Sequence, residues 1–399
     1  MSLSTDTLDL LCDLIRLPTV RGAEADGMRL LEHALLPAAD VVEPVPIPDD
    51  LTEDPEYAFP LPDHSYVGTH NLRVVMRGRG LAPPVVMNTH MDVVPPSEGQ
   101  ELPFDPQVVD GVVTGRGACD AKGQIATLYA LCRLLADAGE RPPGDVILHI
   151  VIEEECGGNG TLAMLREEVD ARRAVVLEPT DMAIVPAVRG AVWLELETEG
   201  LAAHSGSGMR RISALDQAIT AMAALRAYHD DLLRRSRGHP LFDVHQDPMP
   251  LTFGECHSGT WPATVPAQCR VTGVMGFLPN VDRQTVQHEM RQVLATSEDE
   301  WLRTHHRLEF PMLNNDGFSV ATDHPVVRDL VDASCQAGAN GDIQGMTAAC
   351  DAWRYDRLGV PTVVFGPGRL EDAHSKDEQV RICDVMTAAE ALADFVYRR

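Results

Sequence analysis

Histidine and carboxylate side chains at the ends of apolar runs or in glycine-rich turns are the most informative feature of this chain. They are His90 and Asp92 in NTHMDVVPP, Asp120 in GRGACDAKGQ, Glu153, Glu154 and Glu155 in VIEEECGGNG, Glu178 in VVLEPT, and His374 in EDAHSKDE. Imidazole nitrogens and carboxylate oxygens are ligands that suit zinc, cobalt or manganese. Two imidazoles and three or more carboxylates exceed the ligands of one tetrahedral ion, so the set predicts two metal ions and hydrolysis.

The segment His90-Met91-Asp92 has the spacing of a ligand and its supporting acceptor. In a strand-like register the two polar side chains lie on the same side. Asp92 can then accept a hydrogen bond from the imidazole nitrogen that does not bind metal. By itself, the segment is equally compatible with a surface turn.

Asp120 lies in a turn with glycines on both sides. Such a turn can bring one carboxylate to the centre of a site, and two carboxylate oxygens can bridge two ions. The alternative is an N-cap of the helix predicted to begin near Gln124.

The run Glu153-Glu154-Glu155 directly follows the apolar segment VILHIVI. Three adjacent carboxylates repel one another and are costly to desolvate without a cation. We therefore predict that one is a metal ligand and a neighbour is a general base. The alternative is a solvated acidic turn. Glu178, His374 and His204 (in GLAAHSG) are weaker signals when each is taken alone.

Apolar runs alternate with helical patterns in the first half of the chain and again near its end. This predicts an α/β fold with a mainly parallel sheet and helices on both faces. The predicted strands are Asn71 to Met76, Val85 to Asn88, Val146 to Ile152, Ala174 to Leu177 and Thr362 to Phe365. Pro44 to His64 is predicted to be a surface loop. Four ligand segments follow predicted strands, so they are expected at the carboxyl edge of the sheet, where ligands bind in open α/β folds.

The pattern changes between residues 191 and 308, where the order β-α-β-β-α-β is typical of a ferredoxin-like unit. The sequence thus predicts a discontinuous catalytic domain of residues 1–190 and 309–399 and an inserted α+β domain of residues 191–308.

Composition limits the partners and the location. The 399 residues carry a formal net charge of −27, which argues against nucleic acid. No segment approaches the roughly 20 apolar residues of a membrane helix. The N-terminal segment is acidic where a signal peptide would be basic, and nine cysteines include no C-x-x-C pair. A cytoplasmic protein is expected.

The motifs HMDVVP, GRGACDAKG, EEECGGNG, LEPT, GLAAHSG and FGPGRLEDAHSKDE resemble, in this order, those of the M20 family of metallopeptidases and deacylases. The resemblance implies a catalytic domain with two zinc ions, with cobalt or manganese as alternatives, and a smaller lid or dimerisation domain. The bridging carboxylate would be Asp120. His90 and Glu178 would complete one metal site, and Glu155 and His374 the other.

The same resemblance implies the catalytic roles. Glu154 corresponds to the general base and Asp92 to the residue that orients His90. The implied reaction is attack of a metal-bridged water on the acyl carbonyl, with Glu154 carrying the proton to the leaving amine. In family dimers the histidine at the position of His204 reaches the site of the other subunit and stabilises the oxyanion, so a homodimer is expected.

Two departures from the family pattern bear on the substrate. Where members often have Asn-x-[Ile/Val]-Pro in the lid, this chain has TVP at residues 264–266, and where many have Asp-Ala-Arg it has DAWR at residues 351–354. Thr264 and Arg354 are the candidates for substrate binding.

The leading hypothesis is hydrolysis of an N-acyl amino acid, as in the acetylornithine deacetylase type. One alternative is an M20-type dipeptidase, aminopeptidase or carboxypeptidase. Another is a non-catalytic, metal-bound dimeric scaffold. The expected partner is a small molecule, either an N-acyl amino acid or a dipeptide.

Overall fold

The computed structural model describes residues 2–60, 64–167, 171–208 and 210–398. Its helices are α1 (Leu3–Ile15), α2 (Ala25–Leu35), α3 (Lys122–Asp137), α4 (Asn159–Leu165), α5 (Ala214–Arg235), α6 (Arg283–Ala295), α7 (Glu300–Thr304), α8 (Pro325–Gln336), α9 (Ala352–Arg357) and α10 (Ile382–Tyr397), with a 3-10 helix at Asp49–Glu53. Its strands are β1 (Val41–Pro46), β2 (His70–Met76), β3 (Val85–His90), β4 (Gln107–Val109), β5 (Val112–Thr114), β6 (Val146–Val151), β7 (Arg173–Val176), β8 (Ile184–Val188), β9 (Gly190–Glu199), β10 (Leu251–Ser258), β11 (Gln268–Phe277), β12 (His306–Glu309), β13 (Asn314–Asn315), β14 (Phe318–Ser319), β15 (Ile343–Met346), β16 (Thr362–Val364) and β17 (Gln379–Arg381).

The larger sheet has nine strands in the order β1-β2-β6-β3-β7-β16-β8-β14, with β15 paired to β8. The central strands β6, β3, β7 and β16 are parallel. The flanking pairs β1–β2, β2–β6, β16–β8 and β8–β14 are antiparallel. The α/β class is as predicted. The sheet is mixed rather than mainly parallel, since its parallel pairing is concentrated at the centre and the flanking pairs are antiparallel.

Alternate residues of the central strands enter two different cores. Val85 and Met87 of β3 belong to a core that includes α1, α2, α3, α8 and α10, whereas Val86 packs with residues of α9. Since neighbouring side chains of a strand point to opposite faces, helices cover both sides of the sheet. Every residue of β3 is buried, so a doubly covered strand leads directly to His90.

A second sheet is antiparallel, with the order β10-β11-β9-β12 and β13 also paired to β9. Along the chain its main elements are β9-α5-β10-β11-α6-β12. Val192, Leu194 and Leu196 of β9 are buried in a separate core with α5 and α6, while Trp193 between them is 37% exposed. The two helices therefore cover one face of this sheet.

The structure differs from the predicted elements in several places. The predicted loop from Pro44 to His64 contains the end of β1 and the 3-10 helix, and its residues 61–63 lie outside the described part. β3 extends to His90, so this histidine lies in the strand rather than after it. β8, α9 and α10 have no counterpart among the predicted elements. None of the described helices is long and apolar enough to cross a membrane.

Candidate metal centre

Four adjacent parallel strands bring the predicted ligands to one edge of the larger sheet. His90 is the last residue of β3. Glu155 lies in the turn after β6, and Glu178 follows β7. His374 lies in the loop between β16 and β17, and Asp120 in the turn before α3. Because the carboxyl ends of parallel strands share one edge, these residues converge there.

Asp120 lies between the two imidazoles. Its Oδ1 is 3.0 Å from Nε2 of His90, and its Oδ2 is 3.2 Å from Nε2 of His374. Oε1 of Glu155 is 3.0 Å from the same nitrogen of His374, and Oε2 of Glu178 is 3.9 Å from Nε2 of His90. Each oxygen of Asp120 therefore faces a different imidazole, as expected of a carboxylate that bridges two ions. It does not cap α3, whose N-cap is Ala121.

Glu154 lies in the same cluster. Ligand atoms of His90, Glu154 and Glu178 are within 4.8 Å of one another, and so are those of His90, Asp120 and Glu155. The carboxylate of Glu154 is thus next to the predicted ligands, where a general base has to be.

The carboxylates of this cluster are crowded and poorly solvated. Burial and the charge of Asp120 raise the pKa of Glu155 to about 7, and burial raises the pKa of Glu178 to about 7. Burial and the charge of Glu178 raise the pKa of Glu154 well above its usual range. Such shifts reflect the cost of gathering negative charge away from water, which divalent cations would remove. The imidazole and carboxylate donors suit zinc, cobalt or manganese, so the residues fit two such ions.

Asp92 supports the site in a different way from the one predicted. The acceptor nearest to Nδ1 of His90 is the backbone carbonyl of Asp92, at 3.0 Å, whereas a carboxylate oxygen of Asp92 is 3.5 Å away. That carboxylate accepts hydrogen bonds from the backbone N–H groups of Glu154, at 3.2 Å, and Glu155, at 3.1 Å. Asp92 therefore contacts both His90 and the turn that carries the two glutamates.

Glu153, to which the sequence assigns no role, anchors this turn. Its φ is 58°, in the left-handed region that non-glycine residues seldom adopt. Its buried carboxylate accepts hydrogen bonds of 2.8 Å from Nε of Arg21, the hydroxyl of Tyr66 and Nδ2 of Asn159. Arg21 and Tyr66 are 132 and 87 residues away along the chain, so no local pattern indicates these contacts.

His204 and Thr264 are exposed, and His204 belongs to neither of these two groups of ligand atoms. They pair with each other through an isolated β-bridge. Nδ1 of His204 accepts a hydrogen bond from the backbone N–H of Gly206 at 3.1 Å. Thr264 lines a cavity of about 600 Å³ together with Glu199 and His257.

Arg354 is buried, with 5% of its surface exposed. One terminal nitrogen donates to the carbonyl of Gly157 at 2.6 Å, and the guanidinium carbon lies 4.6 Å from the centre of the Trp353 ring. Arg354 therefore holds the glycine turn that follows the glutamates. Its Nε is buried without a hydrogen-bond partner among the described residues, and the predicted contact with a substrate carboxylate stays a prediction.

The fold and the site define a metal-dependent hydrolase. Residues 86–398 match Peptidase family M20/M25/M40, and the chain belongs to this family. It is an enzyme of the M20 metallohydrolase class, so the alternative of a non-catalytic scaffold is not supported.

Relatives of the chain include deacylases and peptidases. It is 28% identical over 346 residues to N-formyl-4-amino-5-aminomethyl-2-methylpyrimidine deformylase of Bacillus subtilis (strain 168), covering 78% of each sequence. It is 25% identical over 399 residues to succinyl-diaminopimelate desuccinylase of Xanthomonas campestris pv. campestris (strain B100), covering 96% of each.

Solved structures share the fold. A tripeptidase from Staphylococcus aureus subsp. aureus Mu50 superposes with a TM-score of 0.77 at 18% identity, covering 99% of this chain and 98% of the tripeptidase. A dinuclear metal-binding M20 peptidase from Bacillus subtilis superposes with a TM-score of 0.68 at 15% identity, covering 99% and 98% of the two chains.

Removal of divalent metal is expected to lower the thermal unfolding midpoint. Ions that bind only the folded chain stabilise it by mass action, by about 2.7 kcal/mol at 100 times their Kd. Scanning calorimetry of chelator-treated protein before and after addition of Zn²⁺ measures this effect. In Asp120→Asn, which removes the central anion, most of the Zn²⁺-induced rise should disappear. An equal rise in that variant would contradict metal binding at Asp120.

Proposed function

We propose that the chain cleaves the amide bond of an N-acyl amino acid, with Glu154 as the general base. The observation that carries this proposal is the position of Asp120, which turns one oxygen toward each imidazole beside the carboxylate of Glu154. The similarity to a desuccinylase over 96% of the chain supports an N-acylated amino acid as the substrate class.

The proposed ligands are Asp120 for both ions, His90 and Glu178 for one, and Glu155 and His374 for the other. Two zinc ions, with cobalt or manganese as alternatives, would polarise the acyl carbonyl and lower the pKa of water toward about 7. The donor set supports this choice of metals. The dinuclear peptidase from Bacillus subtilis supports their number.

Glu154 takes the proton of the attacking water and passes it to the departing amine, so that a carboxylate and an amine are released. Asp92 keeps Glu154 in place because its carboxylate holds the backbone N–H of that residue. Glu153 fixes the start of the same turn through its buried hydrogen bonds.

The proposed lid and dimerisation domain comprises residues 191–308, and residues 1–190 and 309–399 form the catalytic domain. The separate hydrophobic cores of the two sheets support this division. In a homodimer, His204 would stabilise the oxyanion in the site of the other subunit, and its exposure supports such a role. Thr264 pairs with His204 and would contact the substrate at the same place.

A second candidate substrate is an acylated amine that lacks a carboxylate. The 28% identity to a deformylase of an aminomethylpyrimidine supports it. A peptide substrate is the alternative that the similarity in fold to a tripeptidase suggests.

The cytoplasm is the proposed location, and no nucleic acid is proposed as a partner. All nine cysteines are free, as is usual in a reducing compartment. The net charge of −27 disfavours binding to phosphates.

Replacement of the proposed base by glutamine is expected to separate catalysis from metal binding. In Glu154→Gln, turnover should fall by about 10²–10⁴-fold, the usual contribution of general acid–base catalysis, while two metals remain bound. Glu371→Gln, an exposed glutamate in the loop of His374, serves as the matched control and should keep full turnover. Turnover of Glu154→Gln near that of the unmodified chain would refute the assignment.

The substrate class is tested by measuring amine release from a panel of compounds with zinc-loaded protein. The panel contains N-acetyl, N-formyl and N-succinyl amino acids, an N-formyl aminomethylpyrimidine, and dipeptides. Release from acylated amino acids is the expected result. Release only from the pyrimidine would support the second candidate, and release only from dipeptides would replace the deacylase proposal with a peptidase.

A further inference from the structure

A buried ion pair lies directly beside the metal centre. Arg116 and Glu378 contact each other through a charged hydrogen bond, and their side chains are 1% and 0% exposed. Burial of an ion pair seldom adds stability compared with apolar residues of the same size. Its location between two ligand-bearing segments therefore points to a role in positioning them.

Glu378 holds the backbone at the central carboxylate. Its Oε1 accepts hydrogen bonds from the backbone N–H groups of Cys119, at 3.2 Å, and Asp120, at 3.1 Å. Its Oε2 accepts from Arg116. Both oxygens of Glu378 therefore accept hydrogen bonds, and the carboxylate fixes the peptide from which the Asp120 side chain extends.

Arg116 extends this connection to the second imidazole. Its other terminal nitrogen donates to the hydroxyl of Ser97 at 2.7 Å, and that hydroxyl donates to the backbone carbonyl of His374 at 2.6 Å. One chain of hydrogen bonds, Glu378–Arg116–Ser97, therefore joins the backbone of Asp120 to the backbone of His374.

His374 needs such support more than the other predicted histidine ligand. Its side chain is 51% exposed and its φ is 58°, whereas His90 is a buried strand residue. We propose that Glu378, Arg116 and Ser97 are positioning residues, which set the distance between Asp120 and His374 and thereby the affinity of the metal site that these two residues share. This inference rests on the two-metal centre of the proposed function.

The test uses Co²⁺ alone, added to the metal-free full-length chain. Equilibrium dialysis measures the binding of each equivalent, and the visible absorption of bound Co²⁺ reports its ligand geometry. Ser97→Ala removes only the hydroxyl that links Arg116 to His374. We expect one of the two equivalents to bind about 10-fold more weakly with an altered absorption band, the usual cost of losing a group that supports a ligand. The weakened equivalent should be the one whose binding His374→Ala abolishes. Ser97→Thr keeps the hydroxyl and should bind this equivalent as tightly as the unmodified chain does.

Ser375→Ala is the matched control, because this neighbouring hydroxyl donates to the carbonyl of Asp372, at 2.7 Å. It should bind both equivalents as the unmodified chain does. Glu378→Gln provides a second variant. Its affinity for the same Co²⁺ equivalent should fall by at least as large a factor as in Ser97→Ala.

Unchanged binding and absorption in Ser97→Ala would overturn the positioning role, and so would an equal loss in Ser375→Ala. Fewer than two Co²⁺ in the unmodified chain would overturn the two-metal centre and the inference with it. Two Co²⁺ in the unmodified chain with an unchanged Ser97→Ala would overturn the inference alone.

Discussion

Electrostatic repulsion within one small cluster is the constraint on which the rest of this structure depends. Two unit charges 4 Å apart interact by about 4 kcal/mol at an effective dielectric constant near 20. Ligand atoms of Glu154 and Glu178 lie within 4.8 Å of each other, as do those of Asp120 and Glu155, and both pairs are within this distance of His90. Burial, and after it the charge of neighbouring carboxylates, raises the pKa of Glu154, Glu155 and Glu178. A pair of divalent cations is the simplest compensation for this repulsion.

The carboxylates around the site fall into two groups that differ in their partners. Asp92, Glu153 and Glu378 accept hydrogen bonds from backbone amides or from buried side-chain donors. In the part of the chain that the structure describes, the carboxylates of Asp120, Glu155 and Glu178 face imidazole nitrogens and accept no hydrogen bond from a backbone amide, an arginine or a hydroxyl. The first group therefore supports the backbone, while the second consists of the proposed metal ligands. This division separates ligands from supports more clearly than sequence position does, since Glu153 and Glu155 lie in one run.

The sequence was most informative where a strand leads directly to a ligand. The buried runs that become β3, β6 and β7 predict the edge at which His90, Glu155 and Glu178 meet, because two-sided burial and the end of a strand are local signals. The residues that support the backbone of the site are held by long-range contacts, for which the sequence contains no local signal. Glu153 is held by Arg21 from 132 residues away, and Arg116 contacts Glu378 across 262 residues.

Arg354 is also held by a contact that no local pattern indicates. It packs against Trp353, and one of its terminal nitrogens donates to the carbonyl of Gly157, which lies 197 residues away along the chain. The antiparallel direction of the flanking strands of the larger sheet was not predicted, because strand direction depends on connections that span many residues rather than on the alternation within each strand.

Anomalous diffraction from crystals of the zinc-loaded protein tests the central claim most directly. Data collected on both sides of the zinc absorption edge would locate each ion independently of any assumed ligand. Two peaks are expected, both in contact with Asp120, one also bound by His90 and the other by His374. A single peak, or two peaks that do not share Asp120, would contradict it.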